Sequence, residues 1–578
     1  MGGILITGGL VVDGTGAAPF PADVRIADSR IAEIGPHLQP QAGERVIDAH
    51  GCHVAPGFIE SHTHYDGTIW WQPELDPLPG YGVTTQIMGN CGFSAAPMSD
   101  DPAMRAEIAK IFSFFEDIPE KPFIEKLPWD WRTWSEYRRS METHVKTAAN
   151  YGAFVGHLAI RLAAMGVEAW ERAATADEIA RMVALLDDAL KAGAMGLSTN
   201  LMDHDWGGRP VPTFKADDAE WTALIATLAR YPAASMQVVL DTTMHLTAAK
   251  YVRYLAPLCE GHKVRIQWAG LVPNLQFQAD LVDELKAIHA EFQRAGKDYW
   301  TGYAHVPITS VINIRASLIF AQSDEFVWHE VVKATTDAAK LALLNDPDWR
   351  ARARWSWDNK ALKHSPFGSP WKLLLRDSET GAGPLGMNMV ELARQRGVHP
   401  SDAMADWFIA NGLSSTIHME PFEMIEDVTL ELLRDPMTVG NINDAPAHGQ
   451  MFCGGGYNMV LFDTWVKKLG KLTVEEAVHI QTGRLADYFN LPDRGRLKPG
   501  LRADITVFDL DEIEVREIEK ITDVPNGDGG MTWRWTRKPA PVRLTLVNGV
   551  PTFEGGKFTG ALPGVMVSPA PHGAVNGN

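Results

Sequence analysis

Two histidines one residue apart, His62 and His64, close the run Ala55-Pro56-Gly57-Phe58-Ile59-Glu60-Ser61-His62-Thr63-His64. Side chains on a strand alternate with period two, so both imidazoles face one side. Neutral imidazoles so placed can hold one Zn²⁺-like ion. Cys91 follows His62 by 29 residues, about one strand-plus-helix unit. A thiolate suits Zn²⁺, although a free cysteine is as often a small buried hydrophobe. Asp444 comes 382 residues after His62, in Asn443-Asp444-Ala445-Pro446-Ala447-His448, far enough for a barrel to close and return it beside the first strand. Its carboxylate could touch the metal and act as general base toward bound water, whose pKa a metal lowers to about 7. Asp-Ala-Pro is also an ordinary turn sequence. His448 either shapes the pocket or caps a helix at the surface. His157, after the apolar run Ala153-Phe154-Val155, either reaches the same mouth or is a satisfied core histidine.

Chemistry at strand ends needs parallel strands with helical crossovers, and the middle of the chain reads that way. Thr175 and Glu178 form a capping box ahead of Ile179, Met182, Val183, Leu186 and Leu190 at helical spacing. Gly193 ends that helix and Met195-Gly196-Leu197-Ser198 opens a strand; similar units stand at 153–157, 236–240 and 264–268. The alternation predicts an α/β fold, a (β/α)8 TIM-like barrel with its chemistry at the C-terminal strand ends. A doubly wound open sheet is the alternative, but no Gly-rich phosphate loop follows the first strand. Both chain ends are β-rich, as in Val24-Arg25-Ile26 and Val542-Arg543-Leu544-Thr545-Leu546-Val547. Each is too short for its own core, so the two are expected to pair. The predicted organisation is a β-sandwich from residues 1–55 and 491–567, and a hydrolase barrel over 56–490. A lid insertion rich in charge and tryptophan is expected at 321–377, and a flexible tail at 568–578.

Of the 578 residues, 45% are hydrophobic, and 53 Lys+Arg against 72 Asp+Glu give a formal charge of −19. This excludes a disordered chain, and it argues against nucleic acid, which needs clustered cations. No segment approaches the ~18 uninterrupted apolar residues of a membrane span. Met1-Gly2-Gly3-Ile4 lacks the basic start of a signal peptide. Four scattered cysteines make no disulfide framework. The expectation is a cytoplasmic enzyme for a small-molecule substrate, without nucleic-acid or membrane partners, with homo-oligomerisation left open. The 19 tryptophans serve either packing or an aromatic wall around the substrate.

Three stretches together resemble the amidohydrolase superfamily and, within it, the D-aminoacylase (N-acyl-D-amino-acid deacylase) family. They are Pro56 to His64; Gly82-Val83-Thr84-Thr85 with Gly89-Asn90-Cys91-Gly92-Phe93-Ser94; and Asn443 to His448. Weaker echoes are Gly156 to Arg161, Thr473 to Ala477 and Arg502 to Phe508. The resemblance implies a metal-dependent hydrolase of non-peptide C–N bonds, built as a barrel plus a small β-sandwich. It also implies Cys91 as a metal ligand and Zn as cofactor, one ion or two. The chain departs from the family at the fifth and sixth strands. Met236-Gln237-Val238-Val239-Leu240 and Arg265-Ile266-Gln267-Trp268-Ala269 lack the expected histidines and their neighbouring basic residues. A bidentate carboxylate clamp needs arginine. The expected centre is therefore mononuclear, with His62, His64, Asp444 and Cys91 as metal residues and Asp444 catalytic. His157, Gln237, Trp268 and His448 are the expected substrate-binding residues, and the substrate a bulky, partly apolar amide. Hydrolysis of an ester, lactone or C–C bond, or a silent binding homologue, are the competing readings.

Overall fold

The computed structural model describes residues 3–204, 209–243, 245–273, 279–307, 309–315, 326–361, 368–421, 424–440, 442–527, 529–537 and 542–570. The chain ends share one nine-stranded sheet. Its seam is the antiparallel pair of His53–Pro56 with Ile505–Phe508, in the register Pro56↔Ile505 and His53↔Phe508. Alternation puts Val24, Ile26, Ile505, Val507, Leu544 and Leu546 into a common apolar layer. Directly after the seam, Gly57 donates its N–H to the Asp504 carbonyl at 2.8 Å, and the strand Phe58–Glu60 follows. The strand that leads to His62 is thus anchored to both chain ends.

The parallel strands fall into two ladders. One runs Phe58–Glu60, Val83–Met88, Asn150–Ala153. The other runs Val155–Gly156, Gly196–Leu201, Ser235–Leu240, Arg265–Leu271, Tyr299–Tyr303, Thr438–Val439. These strands are buried on both faces, as parallel strands covered by helices must be. Among the described residues they do not make the single closed ladder expected from the alternation. The chain changes ladders at Phe154, whose N–H returns to the Met88 carbonyl at 3.0 Å while the Ala153 carbonyl accepts from Met195 N–H at 2.8 Å. On the other side, Thr438–Val439 is only two residues long. Its continuation meets the first strand through an isolated parallel bridge, His62↔Ile442. The expected strand 153–157 is shorter than its apolar run, because His157 opens the helix His157–Met165.

The helix Ala176–Lys191 forms as its pattern requires. The Thr175–Glu178 capping box is made reciprocally, and Met182, Leu186 and Leu190 are buried. Such a cap contributes about 1 kcal/mol.

The expected lid region belongs to a larger unit. A separate apolar cluster extends from Ile312 to Met419 and takes in Trp328, Trp349, Trp357 and Trp407. A three-stranded sheet of Ser310–Ile312, Thr416–Met419 and Leu373–Asp377 goes with it. Residues 321–325 and 362–367 of the expected insertion lie outside the described residues. So do residues 571–578 of the expected tail. Its start is anchored, however: Arg138 Nη1 donates to Ser568 Oγ at 2.5 Å, and Ala570 N–H to the Asn490 carbonyl at 2.8 Å. Among the described residues, no helix is long and apolar enough to cross a membrane.

Candidate metal centre and pocket

Ladder geometry carries His62 and His64 past the end of their strand in extended backbone. Thr63 N–H donates to the Ile87 carbonyl at 2.9 Å and His64 N–H to the Ala445 carbonyl at 2.8 Å. With the neighbours pinned on alternate sides, both rings emerge together, their centroids 5.2 Å apart. Cys91 arrives from the next strand through a tight turn. Gly89 has φ +73°, and a Cβ there would stand 2.5 Å from the Phe154 carbonyl oxygen, so only glycine fits. Cys91 itself has φ 57°, a strained value for a residue with a side chain. Three hydrogen bonds hold it. Asn200 Nδ2 donates to its carbonyl at 3.0 Å, its N–H donates to Gln237 Oε1 at 3.2 Å, and Gly92 N–H donates to Ser198 Oγ at 3.1 Å. Asp444 comes from the loop after the last parallel strand, with φ 56° and its N–H on the His62 carbonyl at 3.2 Å.

The donor atoms converge. Cys91 Sγ lies 3.1 Å from His62 Nε2 and 3.6 Å from His64 Nε2. Asp444 Oδ1 lies 3.3 Å and 3.8 Å from the same nitrogens. His62, His64 and Cys91 form the group of ligand atoms close enough to share one ion. Two imidazole nitrogens, a thiol and a carboxylate are a donor set that suits Zn²⁺.

Burial sets the protonation. It pulls His62 down to about 3, and His64 well below its ordinary value, so both rings are neutral. Burial, with the carboxyls of Glu116 and Asp444, pushes the Cys91 thiol well up. It also lifts Asp444 to about 7. The neutral rings are ready to ligate, whereas the thiol gives up its proton only to a cation.

These residues sit at the floor of a cavity of about 190 Å³. Its apolar lining includes Val239, Leu240, Leu271, Val306 and Phe452, and its polar lining Glu116, Asp203 and His448. His448 lines the cavity, 3.7 Å from Glu116 Oε2. Gln237 is fully buried behind the donors. Its amide oxygen takes the Cys91 N–H, and its nitrogen lies 3.4 Å from His62 Nδ1, so it braces the centre and does not line the cavity.

Two other expected substrate-binding residues point elsewhere. His157 is fully buried, 2.7 Å from Glu220 Oε1 and 3.0 Å from Thr199 Oγ1, and Glu220 also pairs with Arg161. Trp268 faces away from the cavity, packed against Phe292 and Tyr299. Period two explains it: Val239 and Ala269 turn toward the cavity, so their register neighbours Val238 and Trp268 turn outward. Among the described residues lining the cavity there is no tryptophan. The ring clusters of Trp70, Trp129 and Trp131, and of Trp328, Trp349 and Trp357, are packing.

Sequence reasoning missed Glu116 and Asp203. Glu116 is the last residue of the helix Pro102–Glu116, 3% exposed, with Oε1 3.5 Å from His64 Nδ1. A carboxylate behind a ligating imidazole fixes its orientation. An acid ending a strongly apolar helical run (Ile111 to Phe115) was the available signal. Burial, and the charges of Asp241 and Asp444, raise Asp203 to about 7.

The profile of the amidohydrolase family matches residues 45–319 and 386–553. N-acyl-D-glutamate deacylase of Alcaligenes xylosoxydans xylosoxydans is 28% identical over 527 residues, covering 88% of each chain. D-aminoacylase of the same organism is 25% identical over 577 residues, 98% of this chain and 97% of its own. The solved structure of N-acyl-D-glutamate deacylase from Bordetella bronchiseptica, complexed with zinc and a phosphonate inhibitor, has a TM-score of 0.66 at 23% identity. That likeness covers 98% of this chain and 99% of the other, and shows a shared mixed α/β fold. The unmatched interval 320–385 falls within the span of the Trp-rich cluster, Ile312 to Met419. On the match over most of its length, the chain belongs to the amidohydrolase family.

Proposed function

We propose that the chain hydrolyses a carboxamide C–N bond at a metal centre of His62, His64, Cys91 and Asp444. The observation that carries this reading is the convergence of Nε2, Nε2, Sγ and Oδ1 in the lining of one cavity. Zinc fits the donor set and is present in the related Bordetella deacylase. When bound, such an ion supplies Lewis acidity toward the amide carbonyl and a water of lowered pKa.

The chain's own groups do the rest. Asp444 takes the proton from the attacking water and returns it to the leaving amine, giving an acid and an amine. Glu116 holds His64 from behind, and Gln237 fixes the Cys91 turn. The apolar wall excludes water from the acyl group.

The same reading closes the two ladders into one (β/α)8 barrel through the His62↔Ile442 bridge and the Phe154 crossover, and takes the nine-stranded sheet as the small β-sandwich domain. The four cysteines, free and mostly buried, support a reducing, cytoplasmic setting.

Purified protein should bind about one Zn²⁺ per chain through this single donor set and release amine from N-acyl substrates. Asp444→Asn should abolish turnover while far-UV circular dichroism stays unchanged. Full activity in that variant refutes the mechanism.

A further inference from the structure

The cavity that holds the proposed centre also defines which amides enter it, an inference that rests on the amide-hydrolase reading. Among the described residues lining the cavity there is no lysine and no arginine. Its acidic side chains are Glu116, Asp203 and Asp444, the first two only 3% and 7% exposed. The rest of the wall is mainly hydrocarbon. Buried arginines elsewhere are already engaged. Arg161 pairs with Glu220, Arg534 with Asp523 and Asp76, and Arg537 donates to the Gly455 and Cys453 carbonyls.

An N-acyl amino acid carries a carboxylate next to the scissile amide. Inside this cavity that carboxylate would leave water, meet no side-chain cation among the described lining residues and face carboxyl oxygens. An anion buried without a partner is strongly disfavoured. Hydrocarbon at the same place gains from contact with Val239, Leu240, Leu271 and Phe452. Specificity then comes from the missing cation as much as from the apolar wall.

We propose that the cavity selects amides carrying no carboxylate: apolar N-acyl compounds that are uncharged where an amino acid has its acid group.

The test uses the full-length protein loaded with Zn²⁺ and matched pairs. These are N-acetyl-leucine with N-acetyl-leucinamide and N-acetyl-phenylalanine with N-acetyl-phenylalaninamide, each in both hands. Release of acetate gives kcat/KM, and calorimetric titration gives Kd for each member. The neutral member should exceed its acid by at least about tenfold in kcat/KM, with the gain in KM and Kd. An acid processed or bound as well as its neutral partner overturns the proposal. If no acetyl bond is cleaved in any pair, the amide-hydrolase reading fails. Tighter binding of the neutral members would then still uphold the charge rule, and equal or weaker binding would overturn it. Binding of neither member overturns both.

Discussion

Replacing Cys91 by serine separates a metal ligand from a space-filling thiol. Its Sγ stands 3.1 and 3.6 Å from two imidazole nitrogens that burial keeps neutral. Structural Zn²⁺ held by four protein ligands is worth roughly 10–16 kcal/mol near pH 7. An equal share for one ligand is roughly 2.5–4 kcal/mol, so Cys91→Ser should weaken binding about 100- to 1,000-fold.

Proton linkage gives a second, independent readout. His62 and His64 release no proton near neutral pH, because burial keeps their neutral forms prevailing. Cys91 must lose its proton at any working pH, since its thiol is held well up. Asp444 must lose one below about 7. Protons compete with the ion, so affinity rises with pH. The slope of log affinity is about two per pH unit below 7 and about one above it. In Cys91→Ser those slopes fall to about one and about zero. Competition against a chromophoric chelator across this range measures both affinity and slope. Co²⁺ loading adds the loss of the thiolate-to-cobalt charge-transfer band. Unchanged affinity with unchanged slopes would refute the assignment and leave Cys91 a small buried hydrophobe.

Glu220→Ala strands the fully buried Arg161 charge and should cost about 3–5 kcal/mol in urea unfolding. Zn²⁺ affinity should stay unchanged, since His157 and its partners lie outside the cavity; a large drop in affinity would contradict that placement. Gly89→Ala puts a Cβ against the Phe154 carbonyl at φ +73° and should cost at least about 1–2 kcal/mol. By displacing the Cys91 turn it should also weaken metal binding, measured in the same chelator assay. Asp203 has its folded pKa raised, from 3.8 to about 7, so its contribution is fully present below about pH 4 and lost as pH rises through 7. Relative to Asp203→Asn, the unsubstituted chain should therefore lose up to about 4 kcal/mol between those limits in pH-resolved unfolding, and a difference of the opposite sign would exclude this account.

Local signals in the sequence located the strand ends and the donors, because both follow from spacing. The His62–His64 period, the one-unit offset to Cys91 and the Thr175 capping box all appear in the structure where pattern put them. Pattern could not tell which face of a buried strand meets the cavity. Ser235–Leu240 is buried along its whole length and Arg265–Leu271 nearly so, and with both faces covered burial does not say which one meets the cavity. Trp268, an expected substrate contact, lies on the outward face. Of the two readings of the tryptophans, packing holds at Trp131 and Trp349, which are buried in the core. Glu116 escaped because its partners, His64 and His448, are separated from it by 52 and 332 residues.

Cys91, Asp444 and His448 share one unusual feature: each has φ between 54° and 57° without being glycine. Such a conformation costs about 1–2 kcal/mol per residue, so the surrounding bonds must over-determine it. At Asp444 they do. Its N–H is on the His62 carbonyl, its carbonyl takes the Ala447 N–H at 2.7 Å, and His448 N–H reaches the Glu116 carbonyl at 2.7 Å. A left-handed residue reverses the chain within one step, which turns a side chain back over the strand end it has just left. The acid and the thiol can then stand against two histidines that emerge just past the strand Phe58–Glu60. The strand end fixes the imidazoles and strained turns bring up the acid and the thiol. Strain at these turns is therefore part of how the centre is positioned, and glycine at Cys91, Asp444 or His448 would relieve it only by deleting the side chain it serves to place.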